Sequence, residues 1–315
     1  MPAAVYEGVL REARQWFGLP DSSKRAIQLR GAATSYRGYQ PLGANVTRLP
    51  GGGFTRDWHE AIDLFKEEDP AEVQARGLPP SPIHGPNLWP SQSPAFEAAL
   101  RSYINGCLTL GSALLRGIAL GLGLPESAFG GGLAAPERSY WVARVIHYPP
   151  LVQGSAQPGG GRLQEGAAAA AAGADISRDV QLSCGEHTDY GLLTLVNQEG
   201  HVSALQVKNA AGEWVDAAPI PGTFVCNIGD MFQTLTNGLY TPTLHRVLNT
   251  DPARSRVSIP FFYEPAFEAT IAPLPQLVAA AASGAAAGGA GPAARFPSVR
   301  YGSHLESKVL SNFEL

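Results

Sequence analysis

Cysteine is scarce, with three in 315 residues at Cys107, Cys184 and Cys226. So few thiols, so widely spaced, make neither a disulfide framework nor a thiolate zinc site, and they point to a reducing, cytoplasmic setting. Charge is sparse too: Asp, Glu, Lys and Arg make up 16% of the chain, with a formal net charge of −4. Without a basic excess, neither nucleic acid nor an anionic membrane is an expected partner. No apolar run is long and pure enough to span a bilayer, because Arg116 interrupts the apolar stretch 114–124. No basic-then-apolar leader opens the chain. What remains is a globular chain whose expected partner is a small molecule, with the oligomeric state left open.

Two segments stand apart by composition. Residues 154–174 are rich in Gly, Ala, Gln and Ser, with an alanine run at 167–172, and residues 279–291 are nearly all Ala and Gly. Neither carries enough apolar surface to offset the entropy of ordering it, so both read as exposed insertions. The rest divides into a mostly helical front (1–138), a strand-rich core (139–265, interrupted by 154–174) and an extension with a terminal helix (266–315). In the front, Leu100, Ile104, Cys107, Leu108, Leu114, Ile118 and Leu122 recur at helical spacing. From residue 140 onward, short apolar runs alternate with turn residues such as Asn209-Ala210-Ala211-Gly212 and Pro219-Ile220-Pro221-Gly222. Many short strands with regular turns predict a sandwich or barrel.

Three residues suggest a metal site. His187 and Asp189 are two apart in Cys184-Gly185-Glu186-His187-Thr188-Asp189-Tyr190. On a strand, that spacing would point an imidazole and a carboxylate the same way. His245, in Thr243-Leu244-His245-Arg246-Val247, could complete a two-histidine, one-carboxylate face with open positions, which suits non-haem Fe(II). Taken alone, His187 and Asp189 could equally be a hydrogen-bonded surface pair, and His245 a satisfied core histidine. Downstream, Arg256-Val257-Ser258 aims a guanidinium fork and a hydroxyl at one point, a good match for a carboxylate. Tyr148, at the end of Arg144-Val145-Ile146-His147-Tyr148-Pro149-Pro150, could add a phenolic hydrogen bond to the same group. Asp230 reads as a turn carboxylate. No chemistry is assigned to His59, His84, His147, His201 or His304, which lack partners at ligand spacing.

In order and spacing, these motifs resemble the 2-oxoglutarate and Fe(II)-dependent oxygenases of the isopenicillin N synthase-like group. The chain reads Tyr148-Pro149, His187-Thr188-Asp189, Ala204-Leu205-Gln206-Val207, Asn227-Ile228-Gly229-Asp230, Asn237-Gly238, His245-Arg246-Val247 and Arg256-Val257-Ser258. The resemblance implies a double-stranded β-helix (jelly-roll) core with flanking helices. It implies iron at His187, Asp189 and His245, and the distal carboxylate of 2-oxoglutarate at Arg256, Ser258 and Tyr148. It further implies a dioxygenase that uses O2 to hydroxylate, desaturate or cyclise a small metabolite with release of succinate and CO2, with ascorbate as a candidate auxiliary reductant. Arg37-Gly38-Tyr39 and Trp58 resemble the family's early substrate-side loop, with Tyr39 as a candidate substrate contact; simple packing explains them as well.

Three departures stand out. Ala204 replaces the glycine usual before Leu-Gln-Val, Ile146 stands where many plant members have asparagine, and the start lacks the family's early strands. A start that short should leave an edge of the main sheet open. Rival readings are a ferrous oxidase of the same fold that uses no 2-oxoglutarate, a metal-binding protein with impaired catalysis, and a cupin of other chemistry. Isopenicillin N synthase and aminocyclopropane-carboxylate oxidase also keep R-x-S, so Arg256 and Ser258 do not exclude the first.

Overall fold

The computed structural model describes residues 1–48, 54–150, 182–283 and 294–313. The expected insertion at 154–174 therefore lies outside the described residues. Fourteen strands, β1 (Gly38–Gln40), β2 (Val46–Arg48), β3 (Phe54–Arg56), β4 (Glu60–Phe65), β5 (Val142–Tyr148), β6 (Cys184–His187), β7 (Leu193–Gln198), β8 (Leu205–Lys208), β9 (Trp214–Asp216), β10 (Val225–Ile228), β11 (His245–Val247), β12 (Arg256–Tyr263), β13 (Thr270–Ile271) and β14 (Val299–Arg300), are described. A six-stranded sheet in the order β1-β4-β5-β12-β7-β10 faces a four-stranded sheet in the order β6-β11-β8-β9. Every strand pairing in both is antiparallel, giving the expected jelly-roll.

Side-chain parity sorts β4 and β5 between two cores. On β12, Val257, Ile259, Phe261 and Tyr263 join the larger core, with Val145 of β5 and Leu64 of β4. The opposite face of β5 carries Ile146 and Tyr148 into a smaller core with Ala61, Leu205 and Val247, between the sheets. Because Arg256 and Ser258 alternate with the larger-core residues, their side chains share that inner face.

Two helices cover the outer face. Ala3–Phe17 buries Val9, Leu10, Ala13, Trp16 and Phe17. Pro94–Gly121 has proline in its first turn and Glu97 near the positive end of its dipole, and it buries Phe96, Leu100, Tyr103, Ile104, Cys107, Gly111, Leu115 and Ala119. Among the described residues this second helix is the one long and apolar enough, by length and composition, to cross a membrane. Here its apolar stripe lies against the first helix and against β7 and β12. The fit is close at Gly111, where a Cβ would fall 2.3 Å from Cδ2 of Tyr263. Gly111→Ala is expected to overpack this contact and lower stability by about 1–3 kcal/mol despite alanine's better helix propensity. Thermal unfolding checks this; an unchanged or higher midpoint would show that the Tyr263 ring can yield.

The structure adds detail to three sequence expectations. The mostly helical front also supplies β1 and β4 to the major sheet. The expected open edge is closed on one side: Leu29 N–H donates to Tyr39 O and Tyr39 N–H to Ile27 O, at 2.9 and 2.7 Å. At the other side β10 has no further strand partner among the described residues. Finally, the helix Pro275–Ser283 runs into the alanine-rich stretch. Buried Leu277 anchors the helix, and alanine propagates one already started at little cost.

Candidate metal centre

β6 and β11 are antiparallel neighbours with His187 opposite His245, so two histidines 58 positions apart become a cross-strand pair with ring centroids 4.3 Å apart. Asp189 is placed differently from expectation. β6 ends at His187, and Asp189 lies two residues beyond it, off the strand. The carboxylate nevertheless converges, with Asp189 Oδ1 3.5 Å from His245 Nε2 and 3.9 Å from His187 Nε2. One donor atom from each residue lies within 4.8 Å of the others, close enough for all three to share one ion.

Local contacts fix these donors. Nδ1 of His187 is 2.8 Å from Gly185 O and Nδ1 of His245 is 3.0 Å from Thr243 O. A carbonyl can only accept, so each Nδ1 carries a proton and Nε2 is the nitrogen left to ligate a metal. Burial, then the neighbouring His187, push the His245 pKa down and favour the neutral imidazole that ligation needs. Asn227 Nδ2 donates to Asp189 Oδ2 at 3.4 Å and Asp230 N–H donates to Asp189 O at 2.8 Å, which gives the Asn-x-Gly-Asp phrase its role. Asp230 itself begins the short helix Asp230–Leu235. Gly229 is needed because a Cβ there would fall 2.4 Å from Gly191 O. The motif's Arg246 is buried, donating to Gln206 Oε1 at 2.9 Å and to Glu186 Oε1 at 3.2 Å, with Trp214 stacked on it. Its role is to tie β11 to its neighbours.

Arg256, 1% exposed, faces the space between the sheets. Its Nη2 donates to Gln198 Oε1 at 2.7 Å and its Nη1 to Ser258 Oγ at 3.3 Å, and the Tyr148 ring centroid is 5.2 Å from its Cζ. Nε has no partner among the described residues. The register explains the grouping, since Arg256 pairs with Tyr148 and Ser258 with both Ile146 and Gln198. A buried guanidinium with only neutral hydrogen-bond partners and an idle N–H is what an anion site requires. Donor set and cation together therefore fit a metal with an anionic co-substrate.

A cavity of about 140 Å³ opens beside the triad, and His187 and Asp189 are in its wall. Arg144, Asp63, Asn45 and Glu264 also line it. Sequence reasoning missed these four. Arg144 was legible in principle, because it shares the strand face of Ile146 and Tyr148, and its Nε donates to Asp63 Oδ1 at 2.7 Å. Tyr39 is not at the site and is corrected: it is 1% exposed in the core, its hydroxyl donates to Glu60 Oε2 at 2.5 Å, and its ring meets Trp16 edge-on. His147 and His201 sit in networks with Glu60 and Glu199, away from the triad. His59 is fully buried against Tyr148, and burial drives its pKa down to about 3, so the ring is neutral.

Residues 167–265 match the 2OG-Fe(II) oxygenase superfamily, and residues 1–92 match the family described as non-haem dioxygenase in morphine synthesis N-terminal. A homoarginine-6-hydroxylase of Oryza sativa subsp. japonica is 40% identical over 315 residues, covering 98% of this chain and 83% of its own. A homoarginine-6-hydroxylase of Arabidopsis thaliana is 40% identical over 312 residues, covering 99% and 82%. Among solved structures, a full-length Neurospora crassa protein in complex with alpha-KG and thymine superposes with a TM-score of 0.71 at 23% identity, covering 99% of this chain and 84% of its own. A 2OG-Fe(II) oxygenase family protein of Caulobacter crescentus gives 0.70 at 26% identity, covering 99% and 87%. With the motif order, the jelly-roll and the His-Asp-His triad in agreement, the chain belongs to the isopenicillin N synthase-like group of the 2OG-Fe(II) oxygenase superfamily, enzymes that work with Fe(II) and 2-oxoglutarate.

Proposed function

We propose that this dioxygenase hydroxylates a guanidino amino acid, homoarginine or a close analogue, with Fe(II) held by His187, Asp189 and His245 and 2-oxoglutarate held by Arg256, Ser258 and Tyr148. One observation carries the assignment of roles: the convergent lone pairs of the triad share an interior with a buried arginine that lacks an anionic hydrogen-bond partner. Support for the substrate comes from the relatives, since four curated proteins 37–40% identical over 95–99% of this chain are homoarginine-6-hydroxylases.

Iron with 2-oxoglutarate and O2 supplies the oxidant for a C–H bond, one oxygen atom going to the product and the other to succinate as CO2 leaves. The chain's residues do the positioning. Asp189 is held by Asn227, both histidines are fixed in one tautomer by carbonyls, and Arg256 with Ser258 grips the far carboxylate of the co-substrate. The cavity beside His187 and Asp189 orients the substrate and excludes water.

The test is succinate formation by the iron-loaded protein with homoarginine, O2 and 2-oxoglutarate. Hydroxyhomoarginine and succinate are expected in a one-to-one ratio, with no product when 2-oxoglutarate is left out. Product without 2-oxoglutarate would favour the ferrous-oxidase reading, and iron binding without any turnover the impaired one. Turnover of 2-oxoglutarate coupled to other metabolites but not to homoarginine would overturn the substrate.

A further inference from the structure

We propose that Glu264 is the specificity residue of the active-site cavity, a carboxylate that grips the cationic group of the substrate; the proposal rests on the reading of the substrate as a guanidino amino acid. Glu264 directly follows β12, is 3% exposed, and lines the cavity that holds His187 and Asp189. Its Oε2 has no hydrogen-bond partner among the described residues. The buried Tyr301 hydroxyl lies beside the carboxyl and interacts with it as a neutral neighbour. Room for the carboxyl is made by Gly191, two residues past Asp189, where a Cβ would fall 1.4 Å from Glu264 Oε2. A buried carboxyl with only a neutral neighbour costs stability unless a cation completes it, and Glu264 lines the cavity where one could enter.

Charge balance indicates what completes it. Asp63 is paired with Arg144 at 2.7 Å. Asp230 has Lys308 within electrostatic reach. In the loaded enzyme the two charges of the metal and that of Arg256 offset Asp189 and the two carboxylates of 2-oxoglutarate. Glu264 is left without a counter-charge. Burial, with Asp189 and Asp230 nearby, raises its pKa to about 8, so in the empty site it holds a proton near neutrality. An incoming guanidinium favours the ionised form and can take two parallel hydrogen bonds from its planar fork. Gripped there, the carbon next to the guanidino group is brought toward the triad, while the Arg144 and Asp63 pair offers complementary charges to the ammonium and carboxylate of an amino acid.

The experiment compares wild type, Glu264→Gln and Glu264→Asp. The anaerobic Fe(II)- and 2-oxoglutarate-loaded proteins are titrated with homoarginine and with homocitrulline, its neutral urea isostere. The readout is perturbation of the visible metal-to-ligand band, with coupled succinate formation followed in air. Wild type is expected to bind homoarginine on the order of tenfold to a hundredfold more tightly than homocitrulline. Glu264→Gln should lose that preference, and Glu264→Asp should keep part of it, with the 2-oxoglutarate band retained in both. Homoarginine turnover in wild type with undiminished preference in Glu264→Gln would overturn the inference and leave the substrate reading standing. Wild type that ignores homoarginine, arginine and lysine while turning over a neutral metabolite would overturn both. Loss of the 2-oxoglutarate band together with homoarginine binding would make Glu264 a structural carboxyl and also count against it.

Discussion

His245→Ala is expected to leave the protein without stoichiometric iron and to lower 2-oxoglutarate-dependent succinate formation by well over a hundredfold. Removing even an outer partner of a metal ligand costs roughly 10–100-fold in affinity or activity, and loss of a ligand itself costs more. Three donors within 4.8 Å make a chelate, and two do not fix a metal's geometry. The backbone should survive, since β11 pairs with both β6 and β8 through main-chain hydrogen bonds that the substitution leaves in place. The imidazole is 6% exposed, so some stability will be lost to the cavity it vacates. Metal content per folded chain separates the two effects. His201→Ala, outside the triad and bonded to Ser255 O at 3.1 Å, serves as the control and should keep full iron. Wild-type iron and turnover in His245→Ala would remove this residue from the site.

Much of this site was legible because strand periodicity is a local property. A two-residue spacing placed Arg256 with Ser258 on one face, and the alternating Val257, Ile259, Phe261 and Tyr263 fill the larger core on the other face. The same rule misplaced Asp189, because β6 stops at His187 and a loop, held by Asn227 and Asp230, aims the carboxylate. Strand pairing is not local, so nothing in the sequence places His187 opposite His245; their neighbourhood came from the order of family motifs. Glu264 was illegible for a similar reason. Its meaning depends on the space above Gly191 and on a carboxyl oxygen without a partner, both set by packing between distant segments. A lone acid directly after a buried apolar strand was the one available signal. Tyr39 shows the reverse error, where a position in a family phrase suggested contact with ligand. Its hydroxyl is instead engaged by Glu60, which Lys24 and His147 also hold. Strands as short as β1, with three residues, carry too little periodicity to be read at all.

Arg256→Met is expected to weaken 2-oxoglutarate binding by about 1.5–3 kcal/mol, which is on the order of tenfold to a hundredfold in Kd, while leaving the unliganded protein as stable as wild type or more so. The two effects share one cause. Burial lowers the pKa of Arg256, because its charge sits where water cannot solvate it, and its direct acceptors are the neutral Gln198 and Ser258. The nearest carboxylate, Glu199, is already engaged by Arg14 and by Val257 N–H at 2.6 Å. Wild type therefore carries an incompletely compensated cation that, in the proposed role, the distal carboxylate of the co-substrate would neutralise. Methionine fills similar space without the charge, so it relieves the unliganded state and forfeits the bound one. Arg256→Lys keeps the charge but not the fork and should fall between the two. Two measurements on each protein decide the matter: an anaerobic titration of the Fe(II) form, and the thermal midpoint with and without saturating 2-oxoglutarate. Wild type should gain stability in step with ligand concentration over Kd, and Arg256→Met should gain little at the same concentration. An unchanged Kd in Arg256→Met would assign the carboxylate to other donors. A Kd raised together with a collapsed unliganded midpoint would make Arg256 a structural cation, with the loss of binding a consequence of unfolding.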